Sequence, residues 1–168
     1  MSSPLAGNPR PNANAKLYEK LAKKPLGTRL FGALVAFKAP FFMTSQPQLK
    51  TLRPGLAEVR LTKWWLMQNH IGTFHVISAL NGAEFAMGCL AEISLPDTHR
   101  WLPQGMTTEY KAKSTGGLTL TATMDLPDFS TITKETGGRR IPVTIKFVDD
   151  AGQEPMTATI DIWVTAKS

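Results

Sequence analysis

The chain has 168 residues, of which 42% are hydrophobic and 19% charged, which is enough for one globular domain with a buried core. Its single cysteine, Cys89, excludes an intramolecular disulfide framework. The first residues lack the basic start and apolar core of a signal peptide, and no apolar run approaches the roughly 20 residues that span a bilayer. We therefore expect a cytoplasmic protein.

The formal net charge is +6, from 19 basic and 13 acidic residues. These basic residues are spread over both ends of the chain, without the recognisable module or interleaved aromatic residues that a nucleic-acid partner would require. A small molecule that bears phosphates is compatible with this excess, and so is ordinary solvated surface charge. We therefore expect no nucleic-acid partner.

The N-terminal part is predicted to be helical. Residues 1–13, rich in Pro, Asn and Ser, are expected to form a flexible tail. Helices are predicted over residues 14–24 and 28–38, separated by a Pro-Leu-Gly break. The second helix contains the apolar run FGALVAF. Such a run could form a membrane-surface helix, a lid helix or a helix packed on its own domain, and we expect the packed helix here. We place this helical segment at 14–51 and the main domain at 52–168.

The remaining pattern is mixed. A strand is predicted over residues 56–65, a long apolar helix over 75–93, and a loop over 96–105. Four further strands are predicted at 106–113, 117–126, 141–148 and 156–165, the last two forming a hairpin across an Asp-Asp-Ala-Gly turn. Gly82 and Gly88 would weaken the long helix, so we expect another backbone to approach it closely, as when a sheet wraps a helix.

A candidate active site lies at the start of the long helix. The helix has the sequence HVISALNGAEFAMGCLAEI, and Glu84 lies near its middle, on the same face as Leu80, Met87 and Gly88. A carboxylate in apolar surroundings is paired, shifted in pKa or used for chemistry. The preceding loop adds the Asn69 amide and the N–H groups of a helix N-terminus. No His, Cys, Asp or Glu cluster has metal-ligand spacing, so we expect no metal and no cofactor.

The motif Asn69-x-x-Gly72-Thr73-x-His75, followed by Glu84, resembles the signature of hotdog-fold acyl-CoA thioesterases in the phenylacetyl-CoA thioesterase-like branch. A looser similarity begins at residue 110, with Tyr-x₅-Gly-x-Leu. The resemblance spans residues 52–166 and implies an α+β hotdog fold, in which an antiparallel sheet wraps one long helix. The N-terminal helices resemble the leader of a bacterial hotdog family of unassigned function.

The resemblance also implies roles for individual residues. Glu84 would be the general base or nucleophile, Asn69 would orient water or the acyl group, and the backbone N–H of Val76 would stabilise the oxyanion. His75 stands at the helix start within the motif. The other expected substrate-binding residues are Gly72 and Thr73 in the loop, with Arg139, Arg140 and Lys113 for the phosphates of coenzyme A.

Several alternatives stay open at this stage. Asn69 also suits a simple turn cap, and His75 a helix-start residue bonded to backbone. The usual glycine pair after the histidine is Val76-Ile77 here, which narrows the approach of a substrate carbonyl. The expected function is hydrolysis of an acyl thioester by a homodimer or homotetramer. A non-catalytic acyl- or lipid-binding module is the alternative, and a hydratase that uses His70 and Glu84 ranks last.

Overall fold

The computed structural model describes residues 11–167. The helices are α1 (Ala13–Ala22), α2 (Gly27–Lys38) and α3 (Val76–Ser94), with short 3₁₀ helices at Pro40–Thr44, Trp65–Met67 and Phe129–Thr131. The strands are β1 (Gln48–Arg53), β2 (Leu56–Leu61), β3 (His99–Tyr110), β4 (Leu118–Met124), β5 (Arg139–Asp149) and β6 (Met156–Ala166). They form one six-stranded antiparallel sheet in the order β1-β2-β4-β5-β6-β3.

Helix α3 lies against the inner face of this sheet and supplies much of the core. Twelve of its residues are buried, and alternate residues of β4, β5 and β6 are buried on the face opposite. A Cβ atom at Gly82 would lie 2.5 Å from the Leu61 side chain of β2, so only glycine allows this approach. The neighbour is a side chain of the sheet and not the backbone that we expected. The α+β hotdog fold is confirmed.

The length and composition of α3 would also allow it to cross a membrane, contrary to our expectation that no segment approaches that limit. However, 61% of the relevant stretch is buried inside the domain. A helix that is apolar on nearly all sides and packed within a protein is a core helix. We therefore assign α3 to the core.

Both predicted N-terminal helices are present. Asn12 caps α1 by accepting a hydrogen bond of 2.9 Å from the N–H of Ala15. The Tyr18 hydroxyl donates to the carbonyl of Leu52 in β1 at 2.7 Å, and its ring packs edge-to-face on Phe31 of α2. Residues 1–10 of the expected tail lie outside the described residues, whereas residues 11–13 belong to the folded part of the chain.

Two strand predictions were wrong in extent and one strand was missed. The strand predicted over 56–65 ends at Leu61, and a 3₁₀ helix follows. The loop predicted over 96–105 is the first half of β3, which ends at Tyr110 and not at residue 113. Pro103 is tolerated there because β3 is the sheet edge and has a register shift between Pro103 and Gly105. The missed strand is β1, at the opposite edge.

The predicted hairpin between β5 and β6 is confirmed. The strands pair in register from Arg139 with Val164 to Lys146 with Thr157. Their turn is closed by the Asp149 carboxylate, which accepts hydrogen bonds of 2.9 Å from the N–H groups of Ala151 and Gln153. The sequence division at 51/52 stays a prediction, although β1 lies on both sides of it.

Candidate active site

The loop that precedes α3 is held in shape by the Asn69 side chain. Its Oδ1 atom accepts hydrogen bonds from the N–H groups of Ile71 (3.1 Å) and Thr73 (3.0 Å). Its Nδ2 atom donates to the Thr73 hydroxyl at 2.7 Å. Gly72, between them, has a φ of 76°, a left-handed conformation that favours glycine. The Asn69 amide is thus engaged in its own turn, as the capping alternative expected.

In the first turn of α3, the N–H of Ile77 has a side-chain acceptor, whereas the N–H groups of Val76 and Ser78 have no acceptor within residues 11–167. The Nδ1 atom of His75 accepts a hydrogen bond of 3.2 Å from the N–H of Ile77, so His75 is the N-cap. A neutral His75 therefore carries its proton on Nε2. Within residues 11–167, the N–H of Val76 has no hydrogen-bond acceptor. Such a free group at a helix N-terminus can stabilise negative charge.

Lys63, which the sequence analysis missed, ties this loop to a second one. Its ammonium group donates to the carbonyl of Gly72 at 2.6 Å and to that of Thr115 at 2.8 Å. The N–H of Phe74 adds a bond of 2.8 Å to the carbonyl of Ser114. Lys113, predicted on a strand, lies just before Ser114 in this second loop and is exposed. No sequence motif marks Lys63, because its partners are backbone carbonyls.

Glu84 lies in the wall of an apolar groove further along α3. The groove has a volume of about 490 Å³ and runs between α2, the Pro40–Thr44 turn, α3 and the start of β3. Its lining includes Phe37, Phe42, Met87 and Trp101. Glu84 is exposed in this single chain, and its carboxylate has no hydrogen bond or ion pair within residues 11–167. In this protomer the carboxylate therefore lies beside apolar side chains and is open to solvent.

The groove wall formed by the Pro40–Thr44 turn is fixed by Asn81, one turn before Glu84 on α3. The Asn81 amide donates to the carbonyl of Phe41 at 3.1 Å and to the Thr44 hydroxyl at 2.9 Å. Gly88 lies in the groove lining one turn after Glu84. A Cβ atom there would meet Trp101 at 3.8 Å, which is ordinary contact. Asn81 and Gly88 thus help to shape the space beside the carboxylate.

Glu92, near the C-terminal end of α3, is hydrogen-bonded to two other elements. Its carboxylate accepts a hydrogen bond from Asn14 of α1 at 2.5 Å and from the indole N–H of Trp101 at 3.2 Å. Burial, with a contribution from Glu92, raises the pKa of the Cys89 thiol well above its ordinary value. Cys89 is thus an inert core residue.

The structure does not bring all of the predicted site residues together in one protomer. Val76 and Glu84 are separated by about 12 Å along the helix axis, from the rise of an α-helix. Arg139 and Arg140 begin β5, whereas the 69–75 loop lies near its other end, roughly 30 Å away for a strand of this length. Arg140 already contacts Gln104 at 2.9 Å and Asp161 at 3.5 Å.

The loop after β3 is anchored by a charged contact. The Asp150 carboxylate accepts a hydrogen bond of 2.7 Å from the N–H of Gly117 and forms an ion pair of 2.7 Å with Arg60. The hydrogen bond from Gly117, followed by that from Arg60, lowers the pKa of Asp150 below its ordinary value. Among residues 11–167, no three His, Cys, Asp or Glu side chains are grouped as metal ligands.

Comparison with known proteins places this architecture in a family. The sequence matches the family described as Domain of unknown function (DUF4442) over residues 27–164. A structural-genomics protein designated APC5556 is 31% identical, with a TM-score of 0.75 over 92% of this chain and 99% of that chain. No curated protein matches the sequence.

Two more distant structures share the fold. PA5026 from Pseudomonas aeruginosa, described as a protein of unknown function and probable thioesterase, is 21% identical, with a TM-score of 0.75 over 85% of this chain and 98% of that chain. Thioesterase HI1161 from Haemophilus influenzae is 11% identical, with a TM-score of 0.68 over 86% and 94%. These two structures bear out the fold. The chain is therefore a hotdog-fold member of the DUF4442 family.

Proposed function

We propose that the protein hydrolyses an acyl thioester carried by coenzyme A or by an acyl carrier. The observation behind this proposal is the Glu84 carboxylate, which has no partner in the described chain and lines an apolar groove of about 490 Å³. An acyl chain is an apolar ligand that such a groove can take up. Thioesterase HI1161, a neighbour in fold, supports the same reaction class.

The proposed chemistry uses two groups of the α3 helix. Glu84 accepts a proton from water as the water oxygen attacks the thioester carbonyl carbon, and the free N–H of Val76 stabilises the oxyanion. Collapse of the intermediate breaks the C–S bond, and the thiolate leaves and takes up a proton. The products are a carboxylic acid and a free thiol, without any cofactor. Direct attack by Glu84 through an anhydride is the covalent variant.

A homodimer would bring these two groups together. Within one chain they are about 12 Å apart along the helix, too far for both to act on one carbonyl. The edge strand β3 offers a free backbone edge, with the large apolar side chains of Leu102 and Met106 exposed. If two β3 edges pair about a two-fold axis, the α3 helices run antiparallel and the loop of one protomer approaches Glu84 of the other. A homotetramer would be a pair of such dimers.

The rest of the proposed site follows from this assembly. Gly72 and Thr73 shape the loop, His75 caps the helix, and Arg139 or Lys113 supplies positive charge for the phosphates of coenzyme A. Arg140 contributes less to phosphate binding, since it already forms an ion pair with Asp161. We propose a cytoplasmic location, where coenzyme A thioesters are free to diffuse.

A non-catalytic acyl-binding protein is the second candidate. It is favoured by the Val76-Ile77 pair at the helix start, where Ile77 is 59% exposed and Val76 half-buried. Two β-branched side chains narrow the approach of a thioester carbonyl to the N–H groups. Such a protein would bind acyl-CoA in the groove and be stabilised by it, without turnover.

The test measures thioester hydrolysis by single variants and by dimers that contain two different variant chains. Glu84→Gln is expected to keep the fold and lower thioester turnover by about 10²-fold or more. Val76→Pro removes the proposed oxyanion N–H at the first helical position, where proline is tolerated, and is expected to lower turnover by about 10²-fold. A dimer of one Glu84→Gln and one Val76→Pro chain then has one intact composite site and should regain activity.

Each outcome has a distinct meaning. Parent-level turnover by Glu84→Gln would contradict the mechanism, and loss of folding in that variant would make Glu84 structural. Absence of recovery in mixed dimers would refute the composite site. Thermal stabilisation by acyl-CoA with no turnover in the parent protein would favour the binding module. A monomer mass by light scattering at micromolar concentration would exclude the dimer.

A further inference from the structure

Helix α2 has a second apolar face that nothing in the described chain covers. One face packs on the domain through Phe31, Gly32 and Ala36, as we expected of a packed helix. The opposite face, with the turn that follows, exposes large apolar side chains, which we call the α2 outer face: Leu26, Leu30, Leu34, Phe37, Phe41 and Met43. Phe37 is 76% and Phe41 69% exposed. An exposed cluster of this kind marks an interaction surface.

The charge of the same segment is strongly one-sided. Residues 11–50 contain seven Lys and Arg residues and one acidic residue, whereas residues 51–168 contain eleven basic and twelve acidic residues. All seven basic side chains are exposed, among them Lys23, Lys24, Arg29 and Lys38 around the α2 outer face. The surplus of positive charge in residues 11–167 thus lies in the same N-terminal segment as the exposed apolar residues.

We propose that the α2 outer face docks on an anionic lipid surface. Leucine and phenylalanine side chains enter the boundary between headgroups and acyl chains, while the lysines around them reach anionic headgroups. A second copy on the same face would bring two strongly basic segments together, which disfavours a symmetric contact there. An acidic protein partner would match the charge, but it does not require phenylalanine rings that are so exposed.

The position of the groove beside the α2 outer face suggests how docking could help an acyl ligand to bind. Leu34 and Phe37 belong both to the α2 outer face and to the lining of the groove beside Glu84. Docking therefore sets the groove opening next to the lipid surface, from which an acyl amphiphile could enter without crossing water. The docking itself does not depend on hydrolysis.

The test measures flotation of the full chain with vesicles of an equal mixture of phosphatidylcholine and phosphatidylglycerol, and with phosphatidylcholine vesicles. The parent protein should float with the anionic vesicles, and less so as salt rises. Leu30→Ser/Phe41→Ser and, separately, Lys23→Gln/Lys24→Gln/Arg29→Gln should each lower partitioning about tenfold or more. Leu126→Ser and Lys134→Gln, exposed residues elsewhere, are the matched controls and should float like the parent.

The result that would overturn the proposal is equal flotation of the parent with both vesicle types, or variants that float like the parent. A change of molecular mass in Leu30→Ser/Phe41→Ser by light scattering would assign the face to a second copy and overturn it as well. Binding of an acidic acyl carrier protein without vesicle binding would do the same. Since the readout is flotation, an inactive protein leaves this proposal fully testable.

Discussion

The ammonium group of Lys63 lies 2.6 Å from the carbonyl oxygen of Gly72, at the point where the loop before α3 turns through a left-handed conformation. The same group also bonds Thr115, 2.8 Å away. Two loops that are distant in sequence are therefore held by one side chain. The loop that carries the proposed oxyanion group owes part of its position to a residue outside the motif.

Lys63→Met removes the ammonium group but keeps most of the apolar part of the side chain, and it should loosen this loop. We expect turnover to fall by about tenfold to a hundredfold, since small displacements of catalytic groups are costly. Amide hydrogen exchange at residues 72–74 should become faster. Lys134→Met, an exposed lysine elsewhere, should change neither quantity. Parent-like exchange and turnover in Lys63→Met would show that the contact is dispensable.

Replacing the two glycines of α3 by alanine should change the free energy of unfolding in opposite directions. Gly82→Ala places a Cβ atom 2.5 Å from Leu61, so we expect a loss of about 1–3 kcal/mol in the free energy of unfolding from overpacking. Gly88→Ala meets only Trp101 at 3.8 Å, and we expect a gain of up to about 1 kcal/mol from helix propensity. Urea unfolding measures both. Changes of the same sign would contradict the packing described.

Replacement of both Arg139 and Arg140 by Ala should raise KM for acyl-CoA more than it changes kcat, because remote phosphate contacts act alike in the ground and transition states. The effect should come mainly from Arg139, since Arg140 is held by Gln104 and Asp161. Rising salt should weaken binding more in the parent than in the double variant. Unchanged KM and salt response would leave both arginines as ordinary surface charges.

Asp150 should stabilise the protein in a way that depends on pH. The pKa of its carboxyl group is lowered in the folded protein by the Gly117 N–H and by Arg60. The folded state therefore binds the proton less well than the unfolded chain, and the contribution is present above the ordinary aspartate value of about 4. It is lost as the pH falls through the lower, folded pKa.

Asp150→Asn is expected to lower Tm near neutral pH and to differ less from the parent as the solution becomes acidic. Thermal unfolding from neutral to strongly acidic pH measures this difference. Asp125→Asn is the matched control, because Asp125 is exposed and its carboxylate has no hydrogen bond or ion pair within residues 11–167. A constant difference in Tm between parent and Asp150→Asn at all pH values would refute the assignment.

Hydrophobic periodicity and turn residues were sufficient to predict most elements. The long apolar helix, both N-terminal helices and the β5–β6 hairpin follow from local patterns, because burial of one face leaves its period in the sequence. Strand β1 and the first half of strand β3 have weaker hydrophobic periodicity in the sequence. As edge strands they bury few side chains, and Pro103 in β3 reads as a loop residue although an edge tolerates it.

The sequence by itself indicated the hotdog fold and the candidate residues, including Glu84 and the Asn69–His75 loop, through a motif that resembles a known family, because such a motif lies within one short stretch of chain. Only the tertiary structure decided that Glu84 lies in an open groove, that the Asn69 amide is used in its own turn and that Lys63 clamps the loop. These contacts join segments far apart in sequence or depend on backbone carbonyls, which every residue possesses. Local patterns therefore cannot encode them.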